Sequence, residues 1–343
     1  MMPHQGKALH QPLKTPVEGF LSLFEPLPLG LAPMAGFTTA PFRTLAARLG
    51  ASFTVTELVS ARGIRHDPSL KRSARYLQPT GGGKPWGIQL FGRDPDDFVF
   101  AIQRLLSEPL YRAASFIDLN MGCPAPKVLK EGAGCSLMRD GQLVSRIVGA
   151  AVKAGSAFGC PVTAKIRSGV SPDAINAVEI AKAIEQGGAA AVTVHARTLD
   201  QYYRGRADWQ VIGQVKEVLS IPVFGNGDLE LPGDLEKMRV MTDCDGFMVG
   251  RAARGNPFIF RALRGGAAEI SSQEWLEAMI EHLDASVEML GEAVAVRELR
   301  SHFAFYLRGF EGSAQLRRQV MEPTGRDGVV KILREAARRR KAV

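Results

Sequence analysis

Eight short apolar runs separated by longer patterned stretches limit most strongly how this chain can fold. All of them lie between residues 29 and 252 of the 343-residue sequence. Apolar residues on consecutive positions are typical of parallel strands that are buried on both faces. The runs are LGLAPM (29–34), FTVTELVS (53–60), WGIQLFG (86–92), FIDLNMGC (116–123), PVTAKIRSG (161–169), AAVTVHAR (190–197), IPVFGNGD (221–228) and CDGFMVGRA (244–252).

Helical patterns between these runs complete an alternating strand–helix order. They include residues 40–50, 94–106, 173–188 and 209–220, where apolar positions recur at helical spacing. Eight such units match the repeat number and length of a (β/α)₈ barrel, also called a TIM barrel. A doubly wound open sheet is the alternative, but the first run is not followed by a GxGxxG motif and the units are too many. The sequence therefore predicts an α/β fold of the barrel type.

The last quarter of the chain changes to purely helical patterns. Helices are predicted over 273–291, over 293–309 and from about 327 to 341, which together would form a small all-α helical bundle. The middle helix has one apolar face, formed by Val296, Leu299, Phe303, Leu307 and Phe310. The predicted organisation is an N-terminal extension (1–28), a barrel (29–264) and a helical domain (265–343).

Charge is concentrated in the predicted helical domain. The whole chain carries a formal net charge of +8, and residues 297–343 alone contain twelve basic and five acidic side chains. A basic block on a folded segment indicates a polyanionic partner. The charge pattern alone is equally compatible with a solvated helical surface that ends in a Lys/Arg-rich tail.

Several classes of protein are not expected from this sequence. The N-terminus has no apolar run typical of a signal peptide, and no stretch is long enough to span a bilayer, so we expect a cytoplasmic protein without membrane contact. The four cysteines form no CxxC pair, and the six histidines show no ligand spacing. A structural metal site is therefore not expected.

Polar side chains stand at the carboxyl ends of the predicted strands. In a (β/α)₈ barrel these ends form the active-site face. Because seven of the eight runs contribute polar residues there, the sequence predicts a functional site at this rim. The polar residues are Glu57, Gln89, Asn120, Cys123, Lys165, Arg167, His195, Arg197, Asn226, Asp228 and Arg251.

The seventh and eighth runs both end in glycine. Gly225, Gly227 and Gly250 allow close backbone approach to a ligand, and free N–H groups there can bind phosphate oxygens. The loops after strands 7 and 8 are the usual phosphate site of this fold, and Arg251 adds a planar cationic donor. The alternative is that these glycines only turn the chain.

Positive and donor groups are gathered on the fifth and sixth runs, where Lys165, Arg167, His195 and Arg197 lie on neighbouring strands. Unpaired buried charge is costly, so this group indicates an anionic partner. Reduced flavin is such a partner, and a sugar phosphate would serve as well.

Cys123 ends the fourth run inside the pentapeptide NMGCP. A thiol is mostly protonated at neutral pH and can act as a proton donor. Gly122 and Pro124 predict a sharp turn that directs this thiol into the mouth of the barrel. A lone cysteine is more often a buried structural residue, but its position at the predicted rim favours a catalytic role.

Together, the motifs at the rim resemble those of the tRNA-dihydrouridine synthase family, and most closely its bacterial B-type branch. They occur in order from about residue 29 to 261, with a looser likeness in the helical remainder. The motifs are APMAG (32–36), QLFG (89–92), NMGCP (120–124), KIRSG (165–169), HAR (195–197), YRG (203–205), GNGD (225–228) and DGFMVGR (245–251).

The resemblance implies FMN as the cofactor and NADPH or NADH as the electron donor. It also implies a role for each cofactor-binding residue, as follows. Pro33, Met34 and Ala35 would lie along the flavin edge, Gln89, Lys165 and His195 at its pyrimidine end, and Asn226, Gly227, Asp228, Gly250 and Arg251 at the ribityl phosphate.

For the substrate, the resemblance implies a uridine of tRNA, flipped out of its stack into the barrel mouth. Flavin N5 would pass a hydride to C6, and Cys123 would protonate C5 to give 5,6-dihydrouridine. A monomer is implied. Asn120, Arg167 and Arg197 would contact the uridine, while Arg297, Arg300, Arg308, Arg317, Arg318 and the 338–341 run would contact tRNA phosphates.

Two other functions are compatible with parts of the sequence. A flavin barrel acting on a free pyrimidine, such as a dihydroorotate dehydrogenase, would share the rim residues but would not need the basic helical domain. A tRNA-binding or chaperone-like protein with an inactive barrel would not need Cys123, Lys165 and both glycine loops.

Overall fold

Nine parallel strands form the centre of the chain. The structure, a computed structural model, describes residues 16–266 and 269–340, with side chains from residue 19 onward. Most of the predicted N-terminal extension and Lys341 at the end of the predicted last helix therefore lie outside the described residues. The strands are β1 (Leu29–Leu31), β2 (Phe53–Val55), β3 (Val59–Ser60), β4 (Trp86–Phe91), β5 (Phe116–Asn120), β6 (Val162–Arg167), β7 (Ala191–His195), β8 (Val223–Asn226) and β9 (Gly246–Val249).

The sheet closes on itself into a barrel. Each strand from β4 to β9 pairs with the next, β9 pairs with β1, β1 pairs with β2, and β2 pairs with β4. The two-residue strand β3 pairs only with the end of β4, so the ring itself has eight strands. The predicted (β/α)₈ fold is therefore confirmed, although the run 53–60 forms two short strands instead of one.

Sixteen α-helices are present in the described part of the chain, and most of them surround the barrel. None of these helices is long and apolar enough to cross a bilayer. They are α1 (Pro16–Leu21), α2 (Ala40–Arg48), α3 (Ala61–His66), α4 (Pro95–Leu106), α5 (Pro109–Arg112), α6 (Pro126–Lys130), α7 (Gly141–Ser156), α8 (Ala177–Gln186), α9 (Gln210–Val218), α10 (Asp234–Thr242), α11 (Ile259–Leu263), α12 (Ser272–Leu290), α13 (Glu292–Glu298), α14 (Arg300–Tyr306), α15 (Ser313–Gln319) and α16 (Arg326–Arg339).

Aromatic side chains fill the amino-terminal end of the barrel. Phe24, which precedes β1, is fully buried and its ring packs 4.5 Å from that of Phe53 and 6.0 Å from that of Phe116. Glycines leave room for these rings, because a Cβ at Gly30 or Gly87 would lie 2.3 Å from Phe53 or Phe116. The segment before β1 thus closes the barrel floor, which leaves its other end for a ligand.

The C-terminal helices form a second core that rests on the barrel. Leu45 of α2 and Leu49, which directly follows that helix, pack in one cluster with Trp275, Phe303 and Tyr306. One continuous helix was predicted over 293–309. This prediction is wrong, because the segment forms two helices, α13 and α14, which are separated at Leu299. The face predicted to be apolar is nevertheless buried there: Val296, Leu299, Phe303 and Leu307 belong to this core, with Phe310 packed against it.

Two histidines lie in the layer between the barrel and the C-terminal helices. His282 and His302 are each 1% exposed, and their rings are 4.7 Å apart beside Phe42 of α2. The Nδ1 atom of His282 and the hydroxyl of Tyr306 are hydrogen-bonded at 2.8 Å. Burial lowers the pKa of His302 to about 3 and holds the pKa of His282 well below its ordinary value. Both rings are therefore neutral in the folded protein at neutral pH.

This pair predicts a loss of stability on mild acidification. The unfolded chain binds protons at these histidines below about pH 6.5, while the folded protein does not. Each ring therefore lowers the free energy of unfolding by about 2 kcal/mol when the pH falls from 6.5 to 5. Urea denaturation at both pH values should detect the loss. The variant His302→Phe, which keeps a ring but cannot titrate, should lose about half of the pH dependence that this pair contributes; the buried His195 adds a similar part that the variant retains. An unchanged pH dependence in this variant would contradict the prediction.

Candidate functional site

A cavity of about 300 Å³ opens at the carboxyl ends of the barrel strands. It lies where the polar strand ends predicted a site, and the structure brings most of the predicted residues to its wall. Those that line it are Pro33, Met34, Ala35, Gln89, Asn120, Cys123, Lys165, Arg167, His195, Asn226, Gly227, Asp228, Gly250 and Arg251.

Cys123 is held at the cavity by a capped turn. Asn120 ends β5, and its Oδ1 atom accepts hydrogen bonds from the backbone N–H groups of Gly122 at 3.3 Å and Cys123 at 2.9 Å. The guanidinium of Arg167 donates to the carbonyl oxygen of Gly122 from the next strand. Burial raises the pKa of the half-buried Cys123 thiol, so the thiol keeps its proton at neutral pH. This is the state required of a proton donor.

A chain of side-chain hydrogen bonds supports this turn from inside the barrel. Asp118 is fully buried in β5 and accepts hydrogen bonds from Gln89 Nε2 and Thr163 Oγ1, both at 2.7 Å. Gln89 Oε1 in turn accepts from Asn120 Nδ2 at 2.8 Å. Because each amide both donates and accepts, the carboxylate at one end fixes the orientation of both amides and, through Asn120, the turn of Cys123.

Lys165 places an under-satisfied cationic group on the cavity wall. Its Nζ atom donates to Asn226 Oδ1 at 2.8 Å, while Asn226 Nδ2 is committed to the carbonyl oxygen of Met248. An ammonium has three N–H donors, and Asn226 is the one acceptor it reaches in the described part of the chain. Burial, and then the neighbouring Arg167, lower the pKa of Lys165 to about 7.

His195 adds a neutral donor beside Lys165. Burial, and after it the charge of Lys165, hold the pKa of His195 well below its ordinary value. The site therefore repels further protons and would be stabilised by an anion.

Asp228 organises the cationic side of the cavity. It follows Gly227, and both have left-handed φ angles, of +52° and +123°. Its carboxylate accepts from Arg251 at 3.2 Å, from Arg197 at 2.7 Å and from the backbone N–H of Ala207 at 2.8 Å. With its oxygens so committed, Asp228 orients Arg251 toward the cavity, and its own carboxylate is unsuited to direct contact with a phosphate.

The predicted contact of Arg197 with substrate needs correction. Arg197 is 2% exposed and does not line the cavity. Its Nε and Nη2 atoms donate to the carboxylate of Asp228 and to the carbonyl oxygens of Arg204 and Gly205, while its Nη1 atom is buried without a hydrogen-bond partner in the described part of the chain. It stabilises the loop after β7 from below, and any influence on a ligand is exerted through Asp228.

That loop also adds two tyrosines to the site that the sequence did not assign. Tyr202 donates a hydrogen bond from its hydroxyl to the carbonyl oxygen of Pro124, next to Cys123. Tyr203 lies 4.9 Å below the guanidinium of Arg251 and 5.6 Å from that of Arg167. Arg167 lines the cavity as predicted, but it also donates to the carbonyl oxygens of Thr198 and Tyr202. Its guanidinium thus joins the Cys123 turn to the tyrosine loop.

Arg297 and Arg300 lie outside the cavity. Arg297 is exposed on α13, and the half-buried Arg300 donates to the carbonyl oxygen of Pro323 at 3.4 Å. Phe37 and Arg254 also line the cavity and were not predicted. Phe37 directly follows the APMAG motif, and the basic Arg254 follows the DGFMVGR motif by three positions. Their closeness in sequence to these motifs was the feature from which their place at the site could have been predicted.

The cavity has the chemical features that a flavin requires. Met34, Ile166 and Met248 give apolar surface, Gln89 and Asn120 give amide groups, and Lys165 gives N–H donors without enough acceptors. A flat ring with polar edges and an anionic tail would satisfy all three features. By contrast, the described residues contain no group of three His, Cys, Asp or Glu side chains placed to hold a metal ion.

Fold and cavity together define a (β/α)₈-barrel protein whose site combines donors for an anionic ligand with a protonated thiol. A sequence model of the dihydrouridine synthase family matches residues 30–342. This chain belongs to that family, an oxidoreductase family, and the family predicted from the rim motifs is confirmed.

Curated relatives resemble the chain over most of its length. The tRNA-dihydrouridine synthase B of Pseudomonas aeruginosa is 40% identical over 84% of this chain and 86% of its own. A probable tRNA-dihydrouridine synthase of Aquifex aeolicus is 34% identical over 90% of this chain and 96% of its own. Among solved structures, morphinone reductase is a distant likeness, with a TM-score of 0.47 and 12% identity over 71% of this chain and 88% of that chain.

Proposed function

We propose that this protein reduces the C5–C6 double bond of specific uridines in tRNA to give 5,6-dihydrouridine. Membership of the dihydrouridine synthase family and the names of its relatives support this reaction. The observation that carries the proposal is Cys123: a thiol that keeps its proton, held by Asn120 on the wall of a cavity that cationic side chains also line.

For the cofactor we propose FMN, held in the cavity by residues of the strand ends. Lys165, with Gln89 and His195 beside it, would donate to the polar edge of the ring, and Pro33, Met34 and Ala35 would line its side. Asn226 would act by orienting Lys165, and Asp228 by orienting Arg251. Arg251, Gly227 and Gly250 would hold the phosphate. When bound and reduced by NADPH or NADH, the flavin supplies the hydride for C6.

The protein's own part in the reaction is to place the uracil and deliver a proton. Asn120 and Arg167 border the thiol and are suited to hold the ring. Cys123 donates its proton to C5 as negative charge develops there. The thiolate left behind is reprotonated from solvent before the next turnover.

The basic C-terminal region is the proposed tRNA-binding domain, comprising residues 265–343 next to a catalytic barrel of 29–264. Arg297, Arg308, Arg317 and Arg318 are candidates for contacts with the phosphate backbone, which position the tRNA without reading its sequence. Because tRNA is the proposed substrate, we place the activity in the cytoplasm and expect one chain to suffice for it.

The purified protein provides the test. We expect a yellow protein that releases FMN on denaturation and forms dihydrouridine in an unmodified tRNA transcript when NADPH or NADH is supplied. Free uridine, uracil and orotate serve as matched substrates without the RNA backbone, and should react far more slowly. A protein that reduces a free pyrimidine but not tRNA would instead be a pyrimidine dehydrogenase. A protein that cannot be loaded with flavin would contradict the proposal.

A further inference from the structure

Arg254 stands at the edge of the cavity, where the barrel meets the C-terminal helices. Its guanidinium carbon lies 5.1 Å from the ring centre of Phe37, in the loop after β1, and 4.9 Å from that of Phe305 in α14. The two rings meet edge to face, with centres 5.6 Å apart. The guanidinium therefore packs against two touching aromatic rings, one from the barrel and one from the C-terminal helices.

The backbone beside Arg254 also fixes this position. Gly255 has a φ of +79°, and a Cβ atom there would lie 2.6 Å from the carbonyl carbon of Phe305. Only a glycine allows the chain to approach α14 so closely in this conformation. The position of Arg254 is thus set by local packing, independently of any ion pair.

Arg254 has no anionic partner in the described part of the chain. The other cavity-lining guanidinium groups each have acceptors within the protein: Arg251 reaches Asp228 and the carbonyl oxygen of Tyr203, and Arg167 reaches three carbonyl oxygens. The guanidinium of Arg254 has neither a hydrogen bond nor a salt bridge to a described residue, and its Nε atom is buried without a partner.

The charges around Arg254 make an unpaired state still less favourable. Burial lowers the pKa of Arg254, and the neighbouring cations Arg251 and Arg308 lower it further. A half-buried cation with cationic neighbours and no counter-ion is costly to maintain. Such a group indicates an anion that the protein binds from outside, and a planar guanidinium suits the oxygens of a phosphate.

The surroundings favour an RNA phosphate over the phosphate of a cofactor. Arg308 lies 4.1 Å from the centre of the Phe305 ring and is exposed, so the column Phe37–Arg254–Phe305–Arg308 runs from the cavity edge to the outer surface. A polyanionic strand could follow such a column, whereas a small cofactor inside the cavity would not reach Arg308. The cavity also has Arg251, oriented by Asp228, as a separate phosphate ligand.

We propose that Arg254 binds a phosphodiester group adjacent to the target uridine, and that the column Phe37–Arg254–Phe305–Arg308 guides the strand from the cavity to the C-terminal helices. This inference rests on the proposed function. It deepens that function by assigning the contact that positions the nucleotide next to the reacting one.

The test compares three variants of the full-length, flavin-loaded protein. Arg254→Gln removes the charge, Arg254→Lys keeps the charge without the planar group, and Arg112→Gln is the matched control. Arg112 is an exposed arginine that also stacks on an aromatic ring, that of Phe158, and it precedes β5, at the opposite end of the barrel from the cavity. Each protein is assayed for KM and Kd with unmodified tRNA at several salt concentrations, for FMN affinity, and for NADPH oxidation by oxygen without tRNA.

For Arg254→Gln we expect KM and Kd for tRNA to rise about 10-fold, the loss of one charge-assisted contact. The slope of log Kd against log salt should fall by about 0.7 to 1, as for one lost phosphate contact. FMN affinity and tRNA-independent NADPH oxidation should not change. Arg254→Lys should restore the salt slope but only part of the affinity, and Arg112→Gln should match the wild type.

The possible failures can be told apart. Unchanged tRNA affinity and salt slope in Arg254→Gln would overturn the inference while the wild type still forms dihydrouridine. A 10-fold loss of FMN affinity instead would assign Arg254 to the cofactor phosphate and also overturn it. A wild-type protein that neither binds nor modifies tRNA would overturn the proposed function itself. If Arg254→Gln is insoluble, Arg254→Lys and Arg308→Gln provide the test. Wild-type affinity for tRNA in both variants would show that the column does not bind the RNA strand.

Discussion

Replacing Cys123 with alanine is expected to lower dihydrouridine formation by about 10²–10⁴-fold, the usual contribution of a positioned general acid. The thiol is the proton donor held at the cavity by the Asn120 cap, and alanine leaves that cap in place because Asn120 binds backbone N–H groups. Single-turnover reduction of tRNA by pre-reduced protein measures the step directly. Flavin content and NADPH oxidation without tRNA should remain close to those of the wild type.

Two further variants make the Cys123 result specific. Cys160→Ala removes a buried cysteine that precedes β6, away from the cavity, and should leave turnover unchanged. Cys123→Ser keeps a much weaker acid at the same place and should retain activity between those of alanine and the wild type. A Cys123→Ala protein with normal single-turnover rates would show that the proton comes from another group, and the catalytic role of this thiol would be rejected.

The barrel was predictable because its signal is local and repeated. Each of the eight apolar runs became a strand, since consecutive buried positions in short segments permit little else in an alternating α/β chain. The run 53–60 differs from the others because it forms two short strands. Its glutamate, Glu57, accepts a hydrogen bond at 2.6 Å from the backbone N–H of Gly36. That contact lies between β2 and β3, and a partner 21 positions away cannot be read from the run itself.

Which residues lie at the site was predictable for the same reason. The hydrogen bonds that these residues make with each other were not. Strand ends converge in a barrel, so Lys165 and Asn226 could be expected at one rim. Whether a polar side chain faces the ligand or another side chain depends on side-chain geometry. Arg197 illustrates this, because its motif places it at the rim while Asp228 and two carbonyl oxygens draw it below the cavity.

Asp118 was missed because it interrupts an apolar strand and has no motif position that indicates a ligand. Within the sequence, FIDLN reads as a buried strand with one unexplained carboxylate. The structure pairs that carboxylate with Gln89 from β4 and Thr163 from β6, so its function depends on the pairing of three strands. Such a residue can be recognised only after the register of the sheet is known.

Replacing Asp118 with alanine is therefore expected to lower turnover about 100-fold, although Asp118 is fully buried and does not line the cavity. Without the carboxylate, Gln89 and Asn120 can turn their amide groups, and the Cys123 turn loses its fixed position. A displacement of about 1 Å at a reacting group can cost this much. We expect the main loss in kcat for tRNA, with a smaller change in KM.

The conservative variant separates the hydrogen bonds from the charge. In Asp118→Asn, the hydroxyl of Thr163 can reverse and accept from the new amide, so Gln89 keeps its acceptor and turnover should stay within a few-fold of the wild type. Adding Thr163→Val removes that acceptor and should bring the loss close to that of alanine. If Asp118→Ala does not fold, this double variant tests the same chain of hydrogen bonds.

The charge of Asp118 should appear in the pH dependence of flavin binding. Asp118 raises the pKa of Lys165, which lies at about 7 after the larger opposing effect of burial. Lys165 binds an anionic ligand best when protonated, so flavin affinity should fall as pH rises through the pKa of this lysine. In Asp118→Asn that pKa drops, and the fall should begin at lower pH. Normal turnover in Asp118→Ala, or identical pH profiles in wild type and Asp118→Asn, would show that this carboxylate only fills the barrel interior.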